Sequence, residues 1–514
     1  MSISIAPSSS EPDAEVLGMV LGAFGRWADR AVDPAAIEAH GSLPGPVVSG
    51  AGALGLYGLA VPEAYGGAGF GLTATARVVE EVATRDRSLA TSVGLHNGLG
   101  LHPLVNYGSD ALKDAYLPRL AGGMVASFAA TEPEAGSHIA GLRTTAEPDG
   151  RGGLVLNGDK VFVTNGGLAG VFTVLARTPG LGGARRGTSL LLLDREQPGL
   201  RVGAEERKLG IKASSTTTLV FEDAPVSVDR VLGVAGRGME QMHHALTWGR
   251  SLMAAGALGT ARAAYAMAQR HVAERRQFGR AIGSFGQVRQ RMVSARVSLW
   301  TTEAVLRAVT RLGDEGVDIG WHSAIAKIVA SEAAWSVVDD ALQLHGGSGY
   351  IEDTGVARML RDCRITRIYE GANDVLRMQV AGQAFASGSP EADLAEVTAP
   401  LGARGGARLR PMAEDYDRDA KRLRAAVEAL RERFGLRVFE HQVLLAGLAD
   451  ALIARYTARA GFLRAAAAPE GSPERMLLEC AWPDLRRRFD EGLQRSLDVD
   501  AEERIYAASE ADPG

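Results

Sequence analysis

The sequence predicts an α+β protein in which a β-rich segment separates two helical segments. Three observations carry this prediction. Apolar residues recur at three-to-four spacing from about residue 13 to residue 120, as on the buried face of helices. At Phe128 the pattern changes to the period-two alternation of strands. From Gly238 to about residue 386 the helical spacing returns, and 514 residues suffice for several domains.

The first helical segment, residues 1–125, is predicted to form an N-terminal helical domain. Its stripes include Ala76-Xaa-Val78-Val79 with Val82, and glycine and proline break it into short pieces. Residues 1–12 lack the charged-then-apolar pattern of a secretory signal, so we expect a cytoplasmic protein.

The middle segment, residues 126–236, is a predicted β domain with two turn motifs. The first, residues 128–137, reads Phe-Ala-Ala-Thr-Glu-Pro-Glu-Ala-Gly-Ser, where Thr131 and Ser137 carry hydroxyl donors. The second, residues 157–167, contains Phe162, whose flat ring could cover a ligand face, and Thr164. Without further context each motif is equally well an ordinary polar turn.

The second helical segment, residues 237–386, is predicted to be a helical bundle. It contains Arg250, whose guanidinium could hold a phosphate or carbonyl or else form a buried ion pair. Residues 387–412, rich in Gly, Ser, Ala and Pro, form a predicted linker to an extra helical domain at residues 413–514. Its most apolar stretch, residues 443–453, is interrupted by Asp450, so no membrane span is expected.

Composition excludes several classes of function. A net charge of −5, from 56 basic and 61 acidic residues, indicates no broad attraction to nucleic acid. Cys363 and Cys480 lie far apart without a CxxC pair, which argues against a zinc site or a disulfide framework and fits a reducing compartment. We expect no metal.

One carboxylate stands out as a candidate catalytic base. Glu370 lies between Tyr369 and Gly371 at the apparent start of a helix, where a carboxylate could also serve as a plain helix cap. Its neighbours favour catalysis: upstream, residues 343–350 read Gln-Leu-His-Gly-Gly-Ser-Gly-Tyr, whose glycines let backbone approach a bulky ligand.

Together, this glycine turn, the Arg-Asp-Cys-Arg-Ile of residues 361–365 and the Tyr-Glu-Gly of residues 369–371 resemble the acyl-CoA dehydrogenase family. The resemblance covers nearly the whole chain and is greatest to the very-long-chain branch, because residues 370–377 read Glu-Gly-Ala-Asn-Asp-Val-Leu-Arg. It implies an N-terminal helical domain, a middle β-barrel domain, a C-terminal four-helix bundle and an extra C-terminal helical domain.

The resemblance also implies a reaction. It is the FAD-dependent dehydrogenation of a saturated fatty acyl-CoA to the trans-2-enoyl-CoA in β-oxidation, with an electron-transfer flavoprotein as acceptor. Glu370 would take the α-proton. Some relatives carry this glutamate at position 249 instead, and Gly249 excludes that arrangement here.

The family's binding residues carry over onto matching positions. The implied substrate contacts are Ser137, Thr247, Trp248, Arg250 and Gly371. The implied FAD contacts within the chain are Phe128, Thr131, Ser137, Phe162, Thr164, Ala372, Asn373 and Asp374. The residues expected to reach the FAD of a neighbouring subunit are Arg275, Gln277, Phe278, Gln343, Gly346 and Gly347. Such shared binding would make the enzyme an obligate homo-oligomer, and we expect a dimer.

Departures from the family pattern leave other functions open. His138 stands where the family has Asp, Phe162 where it commonly has Trp, and Pro103 where a small residue of the acyl cavity is expected. An oxidase or biosynthetic dehydrogenase acting on a carrier-protein thioester would share Glu370. A non-catalytic assembly or scaffold protein is a further alternative, since a relative of this branch also works as an assembly factor. The extra domain could contact a membrane or simply pack as a bundle.

Overall fold

The N-terminal domain is a set of short helices that turn their apolar faces inward. The computed structural model describes residues 11–183, 187–386 and 406–510. The helices of this domain are α1 (Glu11–Ala31), α2 (Pro34–His40), α3 (Gly45–Ala53), α4 (Leu72–Arg85), α5 (Arg87–Leu95), α6 (His102–Tyr107) and α7 (Asp110–Ala121). In α4 the predicted stripe of Ala76, Val78, Val79 and Val82 is buried. A wide π-helical turn, His96–Gly100, connects α5 towards α6.

The middle domain is an eight-stranded sheet with strand order β6-β7-β3-β2-β4-β5-β8, and β1 pairs in parallel with β4. Its strands are β1 (Ala126–Ala129), β2 (Thr145–Pro148), β3 (Gly153–Thr164), β4 (Val171–Arg177), β5 (Thr188–Asp194), β6 (Leu200–Val202), β7 (Thr216–Ser227) and β8 (Val231–Leu232). The pairing of β3 with β7 shifts register between Lys160 and Val163, which marks a β-bulge at Phe162.

Long helices form the bundle. They are α8 (Gly238–Glu274), α9 (Gly286–Asp314), α10 (Gly320–His345), α11 (Gly347–Tyr350), α12 (Val356–Arg364) and α13 (Asn373–Ala386), with a hairpin of β9 (Arg276–Gln277) and β10 (Arg280–Ala281) after α8. Helices α8 and α10 pack closely along their length, and α8 also packs on α4 of the first domain. The buried core is therefore continuous between the two helical domains.

The extra C-terminal region is helical, as predicted. It consists of α14 (Gly406–Phe434), α15 (Gln442–Ala467), α16 (Pro473–Leu497) and α17 (Val499–Glu510). Helix α14 begins inside the segment predicted as linker, so residues 406–412 are helical, while residues 387–405 lie outside the described residues. Among the described helices, none is both long and apolar enough to cross a membrane.

The extra region packs directly against the helix that follows Glu370. Helix α13 lies between α10 and α15. Arg377 of α13 pairs with Glu332 of α10 at 2.9 Å and with Asp450 of α15 at 2.7 Å. Asp450, which interrupts the apolar stretch of α15, thus holds the extra region to the bundle.

Candidate active site

Glu370 lies in the turn between α12 and α13 rather than in the first turn of a helix. Its φ of 54° and the φ of 99° at Gly371 place two successive residues in the left-handed region. This conformation is uncommon for a residue with a side chain and costs about 1 kcal/mol. The carboxylate does not cap α13. Instead its Oε2 atom is buried, and no group in the described chain donates a hydrogen bond to it.

The absence of a side chain at Gly249 makes room for this carboxylate. A Cβ atom at position 249 of α8 would lie 2.7 Å from Oε2 of Glu370 and 2.9 Å from Cγ of Leu99. Contacts shorter than 3.0 Å do not occur for real Cβ atoms. Positions 249 and 370 therefore converge on one point in space, which explains how either could supply a base in this fold.

Burial perturbs the titration of the carboxylate. Removal from water disfavours the ionised form and raises the pKa of Glu370 to about 7, while the nearby cations Lys327, Arg250 and Arg87 oppose part of that rise. A carboxylate with a pKa near neutrality is a stronger base than an exposed one and is still largely available at the pH of a cell. Such a pKa in a buried, unpartnered group is typical of a catalytic site.

Two buried cations bind the two successive carbonyl oxygens that follow the Cα atom of Glu370. Arg250 donates from Nε to the carbonyl oxygen of Glu370 at 3.1 Å and from a guanidinium nitrogen to Gln379 at 3.2 Å. Lys327 donates from Nζ to the carbonyl oxygen of Gly371 at 2.8 Å. The predicted substrate contact of Arg250 stays a prediction, because these protein acceptors already engage its guanidinium.

Asn373 completes the support beneath the turn. Its amide oxygen accepts from Nζ of Lys327 at 2.8 Å, and its amide nitrogen donates to Ser331 at 3.0 Å and to Glu332 at 3.2 Å. The side chain is buried and engaged within the protein, so a cofactor contact from Asn373 would have to come from its backbone. The neighbouring Ala372 is half-buried and Asp374 is exposed, and their predicted cofactor contacts stay predictions.

A buried ion pair holds together the two motifs of the β domain that were predicted to bind FAD. Lys160 is fully buried in β3, and its Nζ donates to Oε1 of Glu132 at 2.7 Å and to the carbonyl oxygen of Ala130 at 3.0 Å. The N–H of Val161 donates to the carbonyl oxygen of Thr131 at 2.9 Å. Residues 130–132 are thus fixed against the strand that carries Phe162 and Thr164.

The bulge in β3 turns an aromatic ring outwards. Phe162 has a φ of 57° and is 66% exposed, although it lies in a central strand. Thr164, two residues further along β3, and Thr131, whose carbonyl oxygen accepts from the N–H of Val161, are both half-buried. Ser137 is exposed and Phe128 is buried in β1. An exposed ring on a strained backbone, next to hydroxyl donors, fits the flat and polar-edged ring system of a flavin.

The residues predicted to serve a neighbouring subunit project from one end of the bundle. Phe278, at the tip of the β9–β10 hairpin, has a φ of 51° and is 91% exposed. Arg275, Gln277, Gln343, Gly346 and Gly347 are exposed as well. The hairpin and the glycine turn adjoin, because the rings of His271 on α8 and His345 on α10 stack at 4.3 Å.

The predicted substrate residues just before Gly249, Thr247 and Trp248, contact groups of the protein itself. The hydroxyl of Thr247 donates to the carbonyl oxygen of His244 at 2.8 Å, and Thr247 is buried. The ring of Trp248 packs against that of His102 at 4.8 Å. His102 follows the turn that carries Leu99, and the side chain of Leu99 lies beside position 249 and the carboxylate of Glu370. Substrate contacts by Thr247 and Trp248 stay predictions.

Sequence reasoning missed Lys327 and Lys160. Lys327 lies within an apolar stretch, Ile-Ala-Lys-Ile-Val, and lysine is almost never fully buried unless it is paired. A lysine in the middle of a run that must be buried was therefore the available signal for Lys327. Lys160 follows Asn-Gly-Asp, a polar segment that gives no such signal.

A β domain between two helical domains, with a carboxylate oxygen buried where those helical domains meet, is the arrangement of the acyl-CoA dehydrogenase class. Family models named acyl-CoA dehydrogenase N-terminal, middle and C-terminal domain match residues 17–124, 127–224 and 236–385. The "Acyl-CoA dehydrogenase" of Bacillus subtilis (strain 168) is 35% identical over 359 residues, which are 69% of this chain and 94% of that relative. The chain belongs to the acyl-CoA dehydrogenase family.

Within the family, a relative of the very-long-chain branch also matches. The very long-chain specific acyl-CoA dehydrogenase, mitochondrial, of Mus musculus is 37% identical over 381 residues, or 73% of this chain. The matched part is 58% of that relative's length.

Solved structures resemble the fold over different lengths. An acyl-CoA dehydrogenase from Bacillus anthracis, solved in complex with FAD, has a TM-score of 0.84 and 25% identity and covers 98% of this chain and 91% of its own. The prolyl acyl carrier protein oxidase AnaB has a TM-score of 0.68 and 27% identity and covers 73% of this chain and 99% of its own.

Proposed function

We propose that the protein is an FAD-dependent acyl-CoA dehydrogenase. Its reaction converts a saturated fatty acyl-CoA to the trans-2-enoyl-CoA, in β-oxidation, and an electron-transfer flavoprotein takes the electrons. The observation that carries the proposal is the carboxylate of Glu370. Its Oε2 atom is buried and accepts no hydrogen bond within the described chain, and the residue is held in a left-handed turn beside the glycine at position 249.

Glu370 would remove the proton from the α-carbon of the thioester. A carboxylate with a pKa of about 7 is nearer in strength to that carbon acid than an exposed carboxylate is. Because the ionised form is the active one, the rate should fall as the pH drops below the pKa and protonates Glu370. The value of kcat/KM should therefore show an acid limb with a midpoint near 7.

The backbone of the same residue can stabilise the negative charge that develops on the thioester oxygen. In the part of the chain that the structure describes, the N–H of Glu370 donates to no protein acceptor. A preorganised N–H aimed at an enolate oxygen is worth about 10²-fold or more in rate. The left-handed turn thus presents both groups of Glu370, the carboxylate and the N–H.

The residues of the β domain and of the exposed hairpin fit FAD. When bound, FAD accepts the hydride that leaves the β-carbon of the substrate. Phe162 would cover one face of its ring system, and Thr131 and Thr164 would donate to its polar edge. Arg275, Gln277 and Phe278, together with Gln343, Gly346 and Gly347, would hold the FAD of a neighbouring subunit, which requires a homo-oligomer.

The test is an anaerobic titration of the purified yellow protein with saturated acyl-CoAs from short to very long. We expect the flavin absorbance to bleach with at least part of this series, and the chain length that bleaches it fastest defines the substrate. A flavoprotein that no acyl-CoA reduces would contradict the proposal.

A second candidate is oxidation of a thioester carried by an acyl carrier protein. The likeness to the prolyl acyl carrier protein oxidase AnaB favours it, since the two folds agree over 73% of this chain. The same titration separates the two functions if it is repeated with an acyl-pantetheine-loaded carrier protein. Bleaching by the carrier thioester but not by any acyl-CoA would select the second.

A further inference from the structure

We infer that Lys327 is a positioning residue of the active site, which holds the turn of Glu370 in its left-handed form and supplies a positive charge beside that turn. The inference rests on the proposed function, in which Glu370 is the base. It concerns a residue that lies on another helix and touches neither the carboxylate nor the thioester carbon.

The first observation is the complete burial of a lysine among apolar neighbours in the middle of a helix. Lys327 is 0% exposed in the middle of α10, where its neighbours are alanine, isoleucine and valine. An ammonium group in such a place is expensive unless it is paired and hydrogen-bonded. A hydrophobic residue would serve packing better, so the charge points to another purpose.

The second observation is where the ammonium group donates. Its acceptors are the carbonyl oxygen of Gly371 and the amide oxygen of Asn373, both at 2.8 Å. Arg250 donates a hydrogen bond to the preceding carbonyl oxygen, that of Glu370. Cations on two different helices therefore bind the carbonyl groups of two successive residues, Glu370 and Gly371, and these are the two residues of the turn with left-handed φ angles.

The third observation is the charge around the carboxylate. Lys327 on α10, Arg250 on α8 and Arg87 on α5 face Glu370, and Lys327 is the largest of the favourable influences on its ionised form. Lys327 itself faces Glu370 and Glu332 as anions, and Arg250 and Arg367 as cations. Burial lowers the pKa of Lys327 to about 7 and Glu370 raises it, so each member of the pair favours the charged form of the other.

Arg87 does not duplicate this role. Its guanidinium donates to the hydroxyl of Tyr369 at 2.7 Å, one residue before Glu370. It donates to neither the carbonyl oxygen of Glu370 nor that of Gly371, which Arg250 and Lys327 bind. Removal of Lys327 would leave the carbonyl oxygen of Gly371 without its cation.

The test compares Lys327→Met, Lys327→Gln and Lys327→Arg with the wild-type flavoprotein. Glutamine keeps a hydrogen-bond donor without the charge, and arginine keeps the charge, so the two effects separate and a variant that fails to fold does not end the test. Arg455→Met is the matched control, because Arg455 is a buried cation of α15 that lies over the ring of Tyr416, 3.8 Å from its centre.

The first readout is the infrared band of the protonated Glu370 carboxyl group, assigned by its loss in Glu370→Gln and followed against pH. It needs neither substrate nor turnover. We expect a midpoint near 7 in the wild type and in Arg455→Met, and a midpoint about one unit higher in Lys327→Met and Lys327→Gln. Lys327→Arg should restore the wild-type midpoint. Equal midpoints in all variants would overturn the inference about charge.

The second readout is the rate of flavin reduction by acyl-CoA at a pH above every midpoint, where Glu370 is ionised throughout. A loss of about tenfold or more in Lys327→Met, with partial recovery in Lys327→Gln, is expected if the turn is held by this hydrogen bond. A wild-type rate in Lys327→Met would overturn the positioning role. If no acyl-CoA reduces even the wild type, the proposed function fails, while the infrared titration still decides the effect of the charge.

Discussion

At the scale of single residues, the motif around Glu370 could be found in the sequence but its environment could not. The Tyr-Glu-Gly motif consists of three consecutive residues, so it can be recognised in the sequence directly. Its supports cannot: Arg250 precedes the carbonyl oxygen it binds by 120 residues, and Lys327 precedes its own acceptor by 44. Which distant cations meet a buried carboxylate depends on how α8 and α10 pack, and periodicity does not specify that.

Gly249 gives the sharpest prediction at this scale. Gly249→Ala would place a methyl group 2.7 Å from the Glu370 carboxylate, so the base must move. We expect flavin reduction by the best acyl-CoA to slow by about tenfold to a hundredfold, measured by stopped-flow absorbance.

Gly25→Ala is the matched control for this change. Gly25 also lies within a helix, α1, but a Cβ there meets nothing within 4 Å, and its rate should equal that of the wild type. Undiminished flavin reduction in Gly249→Ala would show that the carboxylate of Glu370 does not act from this position.

At the scale of elements, alternation predicted the strands but not the β-bulge that exposes Phe162 on β3. The bulge at Phe162 depends on the register of β3 against β7, which lie far apart in the sequence. The start of α14 was also missed, because Gly, Ala, Arg and Pro in residues 402–411 have the composition of a linker. Packing against the bundle and α16 overrides that local preference.

The buried pair of Lys160 and Glu132 gives the prediction for this element. Lys160→Met leaves the carboxylate of Glu132 buried without its cation, which should cost about 3–5 kcal/mol in the free energy of unfolding. Because the pair fixes residues 130–132 to β3, the flavin content of the purified protein should also fall. Denaturant unfolding and the flavin-to-protein absorbance ratio measure both.

The double variant Lys160→Met/Glu132→Gln provides the comparison. It removes the unpaired charge and should recover part of the lost stability. A single variant as stable and as yellow as the wild type would contradict the role given to this ion pair.

At the scale of the whole molecule, the order of domains followed from the change in periodicity, and the family models match the same succession. Two large apolar or aromatic side chains that are exposed in the single chain mark one end of the bundle. Phe278 and Tyr350 are 91% and 80% exposed, at the hairpin and next to the glycine turn that adjoins it. Cytoplasmic location, membrane contact by the extra region and the number of subunits stay predictions.

Phe278→Ala tests the role of this exposed end. The ring makes few contacts within its own chain, so we expect the thermal unfolding midpoint of the apoprotein to stay unchanged. The affinity for FAD should fall about tenfold, because a stacking surface of the neighbouring subunit is lost. Leu436→Ala, which removes an 88% exposed side chain from the extra region, is the control and should keep full FAD affinity. Unaltered FAD binding in Phe278→Ala would argue against a site shared between subunits.

The role of Glu370 as the base is best tested by anaerobic flavin reduction with the best acyl-CoA in the wild type and in Glu370→Gln, with both proteins fully loaded with FAD. Glutamine has nearly the same size but cannot take a proton. We expect rapid bleaching in the wild type and a rate lower by at least about 10²- to 10⁴-fold in the variant. Bleaching at the wild-type rate in Glu370→Gln would show that another group removes the α-proton.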